Sequence, residues 1–417
     1  MNSRRNFLRI AGAGITGSFL QPFTSNGAVL KTKGQKIKIG VLMPQSNEHP
    51  GLPVSFMNGF RSGIDQHGAF KKNRIELITE MVNFGTPHIV KEKSQKLIVE
   101  NNVDLVVGIL NSEVASHVGE TFKKAKLPAF FVNSGESYPV NEIKNNPYLF
   151  LNSLNLYQAA FHSGQYAVEK FGKKIAIITS FYDSGYDALF TFRQGVEAAG
   201  GDIPDTYLMG ENSDDFVADT MAKLNESRPD AVYIFTHGTA VEDIIRSLHI
   251  NALKLPVLTT AFAVEEERLL HLGEAGENIL SVSSWNRSSE SEENRKFDDL
   301  YAKHWKKSPD LFSVLGYESG MIIYDSLTRC KQNFTSENIA DNLRSCSITS
   351  PRGKVFIHQD SGIVNNPLYL NKSTRMLSGS YGNQVLQAIS PVNEFEERFA
   401  MLDNDYRSGW LNPYLFV

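Results

Sequence analysis

The sequence predicts an α/β protein of two doubly wound parallel-sheet lobes, and three observations lead to this fold class. From Lys36 onward, short β-rich runs alternate with stretches of helical periodicity, which is the pattern of a parallel sheet covered on both faces. The alternation restarts after residue 152. A length of 417 residues exceeds what one ordinary hydrophobic core fills, so two domains of similar size are expected.

The first lobe is predicted from four strands, each a short apolar run, with helices between them. The strands are expected at residues 36–43, 74–82, 103–108 and 127–132, and the helices at residues 52–66 and 87–100 and from Ser112 onward. Ser112 is the candidate N-cap of the last helix, whose apolar residues share one face.

The second lobe repeats the pattern after an extended segment at residues 148–152. Its strands are expected at residues 173–180, 206–209, 229–238, 255–260 and 278–285, with helices that include residues 155–171 and 185–199. A polar run after Trp285 interrupts the β pattern, and helices at residues 296–307, 311–331 and 336–345 and strands at residues 353–359 and 366–370 follow. The aromatic residues of the 371–417 extension indicate packing on the second lobe or a homodimer contact.

Residues 1–28 have the features of an export signal. Arg4, Arg5 and Arg9 precede an apolar stretch at residues 10–20 that is too short and too rich in glycine to span a bilayer. The pattern resembles the twin-arginine signal, which directs folded proteins across the bacterial cytoplasmic membrane. It therefore predicts a periplasmic protein that is cleaved near Ala28. The alternative interpretation is an amphipathic first helix of the domain.

The composition excludes several classes of protein. Hydrophobic residues make up 41% and charged residues 21% of the chain, as in an ordinary globular protein. The formal net charge is −4 and no basic stripe interleaves with aromatic residues, so no nucleic-acid partner is expected. No histidine has metal-ligand spacing from Cys330 or Cys346, and neither a metal nor a cofactor is expected. The two cysteines could form a disulfide or remain separate buried thiols.

The loops that follow the predicted strands form a candidate binding site. In open α/β sheets, ligands bind beyond the carboxyl ends of the strands, where loops and helix N-termini converge. Hydroxyl, amide and aromatic side chains are frequent in these loops, and a helix N-terminus favours an anionic group. We therefore expect a small polar ligand with an anionic end. The candidate ligand-binding residues are Ser112, Glu113, Glu136, Ser137, Tyr138, Tyr182, His237 and Phe262.

The order and spacing of several segments resemble those of the type 1 periplasmic solute-binding proteins, in the branch for branched-chain amino acids and amides. The similarity extends over most of residues 36–370. The segments are "IKIGVLMP", "KLIVENNVDLVVGILNSEVA", "LPAFFVNSGES", "KKIAIITSFYDSGYDALFTFRQGVEAAGG", "RPDAVYIFTHGTAVEDIIRSL", "LGYESGMIIYDSL" and "SPRGKVFIHQDSG". Each segment is weak evidence alone, and their common order makes the resemblance specific.

The resemblance implies two α/β lobes joined by three crossing hinge segments, with the ligand enclosed when the lobes close. The crossings are expected near Asn152, near Trp285 and after about Gln359. Lobe 1 would comprise residues 36–152 and 286–359, and lobe 2 residues 153–285 and 360–417. The resemblance also implies a non-catalytic protein that passes a small solute, such as an amino acid or an amide, to the membrane permease of an ABC-type importer.

The family's binding residues can be assigned to positions in this sequence. Its carboxylate-binding serine falls at Ser112 and Glu113, its carbonyl and hydroxyl pair at Glu136 and Ser137, and its aromatic lid residue at Tyr182.

This sequence departs from the family in ways that concern the ligand. Ala261 and Phe262 stand where the amino-acid binders usually place a glutamate for the ammonium group, and Glu265 follows only later. Glu113 and Glu136 put negative charge near the carboxylate position. These departures favour a cationic, amide-like or aromatic ligand over an aliphatic amino acid.

Several of these residues also have structural interpretations. Ser112 suits a plain helix cap, Tyr182 suits loop packing, and Phe262 suits the core. His237 suits a loop histidine whose hydrogen bonds are satisfied within the protein.

Two other functions remain open at this point. Asp183, Ser180 and His237 suggest a catalytic triad, but they lie on separate loops and no nucleophile elbow surrounds the serine. A cofactor-bearing exported enzyme is one alternative, because such enzymes often use the twin-arginine route. The other is a sensory subunit that presents its closed state to a membrane receptor.

Overall fold

The structure is a computed structural model that describes residues 36–65, 74–137, 141–209, 213–251, 254–331, 333–389 and 410–416. The predicted export signal and Tyr138 lie outside these residues. The described chain forms two α/β lobes, each on its own sheet, which confirms the predicted fold class. Among the described helices, none combines the length and the apolar character needed to cross a membrane.

Lobe 1 is built on a sheet in which all neighbouring strands are parallel. Its strands, in the spatial order β2-β1-β3-β4-β5, are β1 (Ile37–Met43), β2 (Ile75–Met81), β3 (Leu105–Ile109), β4 (Ala129–Asn133) and β5 (Leu149–Ser153). The helices between them are α1 (Gly51–Ile64), α2 (Pro87–Val99), α3 (Ser112–Ala125) and α4 (Asn141–Lys144). All residues of β3 and β4 are buried, as expected for strands covered by helices on both faces.

Lobe 2 is built on a larger, mixed sheet. Its described strands, in the spatial order β15-β14-β10-β9-β8-β6-β7, are β6 (Lys174–Ser180), β7 (Asp202–Met209), β8 (Ala231–Phe235), β9 (Val257–Thr260), β10 (Leu280–Ser283), β14 (Leu368–Arg375) and β15 (Tyr381–Ile389). The helices of this lobe are α5 (Leu156–Phe171), α6 (Asp187–Ala198), α7 (Ser213–Ser227), α8 (Gly238–Ile250) and α9 (Glu266–Leu272). The antiparallel strands β14 and β15 extend the sheet beyond the single strand predicted at residues 366–370.

The segment between β10 and β14 returns to lobe 1. It contains α10 (Glu292–Trp305), α11 (Leu311–Arg329), α12 (Ser336–Arg344) and a small antiparallel sheet of β11 (Ser347–Ser350), β12 (Gly353–Ile357) and β13 (Val364–Asn365). Helix α11 packs closely on α1, because Gly59 and Gly316 allow the backbones to approach. A Cβ atom at Gly59 would lie 1.9 Å from the carbonyl oxygen of Ser313, and one at Gly316 would lie 2.1 Å from that of Phe56.

The chain passes between the lobes between β5 and α5, between β10 and α10, and between β13 and β14. The first and third crossings are joined directly, since the Asn155 amide donates to Asn366 Oδ1 at 3.0 Å. The side chain of Arg352 joins the first two, donating to the Ser153 carbonyl at 2.6 Å and to Ser284 Oγ at 3.1 Å. One buried residue therefore ties together neighbouring parts of the hinge.

The two cysteines are free thiols, and both are buried. The sequence left open a disulfide or two separate buried thiols, and this structure has two separate buried thiols. One hydrophobic cluster runs through both lobes and includes the buried residues Tyr414, Leu415 and Phe416. The end of the chain thus belongs to the core between the lobes.

Candidate functional site

The candidate site is the cleft in which the loops at the carboxyl ends of the two sheets face each other. The lobes touch directly across this cleft. The backbone N–H of Ala188 in lobe 2 donates to the carbonyl of Glu136 in lobe 1 at 3.1 Å. The N–H of Leu311, at the start of α11, donates to the Glu265 carboxylate at 2.9 Å. The cleft is therefore closed in this structure.

Glu265 is engaged in this contact between the lobes. Burial, together with the neighbouring carboxylate of Asp310, raises the pKa of Glu265 to about 8. Its position near the end of β9 places it close to where the amino-acid binders carry their ammonium-binding glutamate. Here, however, one of its carboxylate oxygens accepts from the N-terminus of α11.

Lobe 1 lines the cleft with a polar cluster. Asn111 is its centre, because its amide donates to Glu136 Oε1 at 3.2 Å and to Ser137 Oγ at 3.3 Å. The Ser134 hydroxyl donates to the other Glu136 oxygen at 2.7 Å. Glu136 is fully buried, and this burial raises its pKa to about 7. Two of the predicted residues, Glu136 and Ser137, are thus brought together.

The cap of α3 differs from the prediction. Asn111, one residue before Ser112, caps the helix by accepting from the N–H of Glu113 at 2.9 Å. Ser112 is the first helical residue, and its hydroxyl oxygen accepts from the Asn133 amide at 3.2 Å. The prediction of Ser112 as the N-cap was therefore wrong. Asparagine and serine are about equally good caps, so their succession here did not distinguish them.

Lobe 2 lines the cleft with aromatic side chains. The rings of Tyr182 and Tyr186 meet edge to face at 5.4 Å between centroids, and their hydroxyl oxygens lie 2.5 Å apart. Burial raises the pKa of both phenols above their ordinary value, which keeps them neutral hydrogen-bonding groups. Phe262 is buried and contacts Phe312 of α11 at 6.0 Å between ring centroids, so its ring lies at the junction of the lobes.

His237 joins the two sides of the cleft. Its Nδ1 lies 2.9 Å from the carboxylate of the buried Asp183, and its Nε2 lies 3.2 Å from Glu48 of lobe 1. Burial lowers the pKa of His237, but the carboxylates of Asp183 and Glu48 together outweigh it and raise the pKa above its ordinary value. Both ring nitrogens of His237 thus have partners within the protein. One of these partners, Glu48, belongs to the other lobe, so His237 is more than a histidine satisfied within its own loop.

The three residues of the suspected triad meet in the structure, because Ser180 and Asp183 lie at the end of β6 and in the loop after it, and His237 follows β8. Ser180 donates to Asp183, and Asp183 in turn contacts His237 Nδ1. In a serine-histidine-aspartate triad, the serine bonds the imidazole and the acid orients it from the opposite side. Here the serine bonds the acid, so the order of contacts is not that of an activated nucleophile.

Glu48, His49 and His237 could hold a metal ion. Their ligand atoms lie within 4.8 Å of one another. Among the described residues, this is the one cluster of histidine, cysteine or acidic side chains with a spacing that suits a metal ion. Imidazole and carboxylate ligands suit zinc and other transition metals. Glu48 is exposed, and exposed acidic groups are common without a bound metal.

Residues 410–416, here called the C-terminal segment, lie between the two walls of the cleft. The ring of Tyr414 stacks on Phe235 with centroids 5.8 Å apart, meets Tyr186 edge to face at 5.1 Å, and lies 5.7 Å from Phe262. Tyr414 is 0% exposed. Aromatic residues of lobe 2 therefore surround a ring that the protein itself supplies.

The rest of the C-terminal segment contacts both lobes. The Asn412 amide donates to the hydroxyl oxygens of Tyr182 and Tyr186 at 3.0 and 3.1 Å. On the lobe 1 side, Ser46 Oγ donates to the Leu415 carbonyl at 3.0 Å. Sequence reasoning placed the extension on lobe 2 or in a homodimer contact, and it did not identify a position between the lobes.

The two walls of the cleft contain five of the predicted residues, whereas Ser112 and Glu113 lie in the first turn of α3 and Tyr138 lies outside the described part of the chain. Glu136 and Ser137 form the polar wall with Asn111, and Tyr182, His237 and Phe262 form the aromatic wall. The sequence analysis missed the wall residues Asn111, Ser46, Phe235 and Phe312 and the C-terminal segment. Asn111 and Ser46 had a signal, because each lies in a loop directly after a lobe 1 strand.

Comparisons with known proteins agree with this architecture. Residues 36–375 match the periplasmic binding protein family, and the match ends before the C-terminal segment. Among curated proteins, the chain is 25% identical over 363 residues to Leu/Ile/Val-binding protein homolog 6 of Brucella abortus (strain 2308), covering 84% of this chain and 91% of that relative.

Solved structures of similar fold include an ABC transporter substrate-binding protein from Sphaerobacter thermophilus. It has 24% sequence identity and a TM-score of 0.76, covering 86% of this chain and 98% of that one. A solute-binding protein of an ABC transporter from Rhodopseudomonas palustris HaA2, in complex with p-hydroxybenzoic acid, has 23% identity and a TM-score of 0.72, with coverage of 87% and 99%.

A branched-chain amino acid transporter substrate-binding protein from Streptococcus pneumoniae, in complex with isoleucine, is also similar. It has 19% identity and a TM-score of 0.67, and the alignment covers 86% of this chain and 99% of that one. These likenesses agree with the two-lobe solute-binding fold. The match over residues 36–375 confirms the resemblance found in the sequence, and the chain belongs to the periplasmic binding protein family.

Proposed function

We propose that this protein captures a small solute with an aromatic ring in the cleft between its lobes and delivers it to the permease of an ABC-type importer. The proposal includes export by the twin-arginine route and a periplasmic location. In this proposal, lobe 1 comprises residues 36–152 and 286–359. Lobe 2 comprises residues 153–285 and 360–417, which include the C-terminal extension.

One observation carries the choice of ligand class, namely the set of aromatic side chains around Tyr414. Phe235, Tyr186 and Phe262 contact a six-membered ring from three directions. Aromatic pairs in such stacked and edge-to-face arrangements gain about 0.5–1.5 kcal/mol beyond the burial of their area. A solute ring at the position of the Tyr414 ring would gain the same contacts.

The polar wall of lobe 1 suits the other end of such a solute. Asn111, Ser134 and Ser137 offer amide and hydroxyl groups beside the N-terminus of α3, where the helix dipole favours negative charge. Glu136 retains its proton to about pH 7 because of its burial. In its neutral form it can donate to a solute carboxylate without the repulsion that was expected from its charge.

The relatives support both parts of the proposal. Several similar structures are solute-binding proteins of ABC transporters whose complexes contain 3,4-dihydroxybenzoic acid, 4-hydroxybenzoate or benzoate. Another contains isoleucine, which makes an aliphatic amino acid the natural competing candidate. The absence of the ammonium-binding glutamate at Ala261 and Phe262 favours the aromatic class.

The proposal also includes a non-catalytic role, as is usual for this family. It is supported by the contacts of Ser180, whose hydroxyl bonds Asp183 and leaves the imidazole of His237 to Glu48. The hydroxyl is therefore not paired with a general base.

A thermal-shift experiment tests the function and the ligand class together. The mature chain is heated with benzoate, 4-hydroxybenzoate, phenylalanine, leucine or isoleucine. The same solutes are tested with a chain that ends at Gly409. A ligand that binds only the folded state raises the melting temperature by mass action. We expect a rise of several degrees with an aromatic solute, which Tyr186→Ala removes and Tyr381→Ala on β15 retains.

Two results would count against the proposal. If leucine or isoleucine raises the melting temperature as much as the aromatic solutes, the ligand class is wrong. If no solute in an extended panel of amides, polyamines and aromatic acids affects either chain, the role in solute capture is wrong.

A further inference from the structure

We propose that the C-terminal segment is a tethered ligand of the cleft, so that a solute can enter only by displacing it. This regulation goes beyond the proposed function and rests on it only for the class of solute that competes. The intact chain would then bind its solute more weakly than the cleft itself allows.

The first argument is the completeness of the burial. Tyr414 and Phe416 are both 0% exposed, and Leu415 between them is 5% exposed. Burying an aromatic or aliphatic side chain away from water stabilises the buried position. A chain end that only rested on a surface would leave one face of each ring in solvent. These residues instead occupy an interior position.

The second argument is that three polar groups of the segment have partners in the cleft, although the buried Tyr414 hydroxyl has none. The Trp410 indole N–H donates to the carbonyl of Tyr182 at 2.9 Å. The Asn412 amide reaches the hydroxyl oxygens of Tyr182 and Tyr186, and the Leu415 carbonyl accepts from Ser46. Buried polar groups that lack partners cost free energy, so this matching favours one defined position over general hydrophobic adhesion.

The third argument is that the segment holds both lobes at once. Tyr414 packs among the rings of lobe 2, whereas the Phe416 ring meets Phe312 of α11 edge to face at 5.3 Å. A ligand that contacts both lobes favours the closed state, because those contacts are complete only when the lobes approach. The segment thus makes the kind of contacts that an enclosed solute would make.

The fourth argument is the compact shape of the segment. The Phe416 N–H donates to the Pro413 carbonyl at 3.0 Å, which closes a tight turn. Proline fixes its own backbone angle and so lowers the entropy lost when a turn is ordered. The turn presents two aromatic rings on a short stretch of chain that fits between the lobes.

Covalent attachment makes modest affinity sufficient. The segment is joined to β15 through residues 390–409, and a connection of about 20 residues gives an effective concentration on the order of millimolar. Apparent affinity for a competing ligand falls in proportion to the fraction of protein whose site is free. If the segment fills the cleft in about nine molecules of ten, solute binding weakens about tenfold.

A peptide-binding experiment tests the proposal without knowledge of the solute. The probe is a fluorescently labelled peptide of sequence WLNPYLFV, which corresponds to residues 410–417. We expect it to bind a chain that ends at Gly409 saturably and to bind the intact chain at least about tenfold more weakly. A peptide with Tyr414→Ala and Phe416→Ala is the matched control and should not bind the truncated chain.

Equal binding of the peptide to the intact and truncated chains would overturn the proposal, as would no binding to a truncated chain that unfolds cooperatively. If the truncated chain does not fold, the intact chain with Tyr414→Ala and Phe416→Ala replaces it in the same titration. Light scattering of the intact chain is part of the test. A dimer that exchanges these segments would overturn the intramolecular arrangement.

The outcomes separate this proposal from the proposed function. Peptide binding to the truncated chain without any solute effect would support the tethered ligand and count against solute capture. A solute effect that is equal in both chains, without peptide binding, would support solute capture and count against the tethered ligand.

Discussion

Arg352 and Glu318 form an ion pair that is completely buried where the lobes join. Both side chains are 0% exposed, and the guanidinium donates to both carboxylate oxygens, with Nε 3.0 Å from Glu318 Oε2. The same guanidinium reaches the Asn152 side chain at 2.7 Å and the first two hinge crossings. Glu318 also accepts from Ser350. A single arginine therefore stabilises the junction of the lobes through several charge-assisted hydrogen bonds.

Replacing this arginine should destabilise the protein strongly. Arg352→Met keeps much of the side-chain volume but leaves the Glu318 carboxylate buried without its counter-ion. Removing one partner of a buried ion pair typically costs about 3–5 kcal/mol, and we expect a loss of that order in the free energy of unfolding. Urea denaturation measures it.

The matched control for this prediction is Arg287→Met. Arg287 pairs with Asp298 at 2.8 Å, but the two side chains are 26% and 32% exposed. Such exposed pairs contribute about 0–1 kcal/mol, so this variant should unfold at nearly the wild-type urea concentration. If both variants lose the same stability, the pair at the hinge is not what holds the lobes together.

Glu136 should make stability depend on pH. Its pKa is raised from 4.5 to about 7 by burial, so the folded protein keeps a proton that the unfolded chain loses near pH 4.5. Between these pH values the folded state binds more protons, and the free energy of unfolding therefore falls as pH rises. The full penalty is reached above pH 7 and amounts to about 3 kcal/mol.

Glu136→Gln should remove this contribution. A glutamine has no proton to lose, and its amide can still form hydrogen bonds with Asn111 and Ser134. We expect the variant to gain stability over the wild type as the pH is raised from 5 to 8, by up to about 3 kcal/mol. Denaturation at both pH values measures the change. Glu113→Gln, the same replacement at a half-buried position, is the control, and an equal pH effect in that variant would contradict the assignment to Glu136.

Both cysteines should remain unreactive in the native protein. Cys330 is 5% and Cys346 3% exposed, and burial raises the pKa of the Cys346 thiol to about 12. Only the thiolate is nucleophilic. We expect almost no reaction of the folded protein with an aromatic disulfide reagent and reaction of both thiols after denaturation. Rapid reaction of a native thiol, or no reaction after denaturation without a reductant, would contradict the two buried free thiols.

The sequence was informative wherever the determining interactions were local. Strands such as β1 and β6 and helices such as α2 and α5 lie close to their predicted bounds, because apolar periodicity and turn residues act within a few positions. Helix α7 and strand β15 were not identified. The pattern also indicated that the loops after the strands meet, since loops after parallel strands share one edge of a sheet.

The part that escaped prediction depends on contacts between distant residues. The Asn412 amide bonds Tyr186 across 226 positions of the chain, and no local pattern reveals such a pair. The bonds of Ser180 to Asp183 rather than to His237 likewise depend on side-chain directions within loops. The aromatic content of the extension indicated that it packs against the protein, but three-dimensional structure was needed to locate the packing in the cleft.

Gly185 allows the docking of the C-terminal segment to be tested from lobe 2. A Cβ atom at this position would lie 1.5 Å from Trp410 Nε1 and 2.1 Å from its Cδ1, a separation that the indole cannot tolerate. Gly185→Ala should therefore displace Trp410 and expose it to water. We expect its fluorescence emission to move to longer wavelength and its quenching by acrylamide to increase. The spectrum of a Trp410→Phe variant identifies the signal of Trp410 among the three tryptophans.

Gly51→Ala is the matched control, because no atom lies within 4 Å of the added Cβ, and its spectrum should equal that of the wild type. The Gly185→Ala change is also made in the chain that ends at Gly409, where no indole stands in its way. There it should leave the melting temperature nearly unchanged. An equal loss of stability in both chains would assign the effect to strain in the loop after β6, whereas a loss confined to the intact chain would assign it to release of the segment.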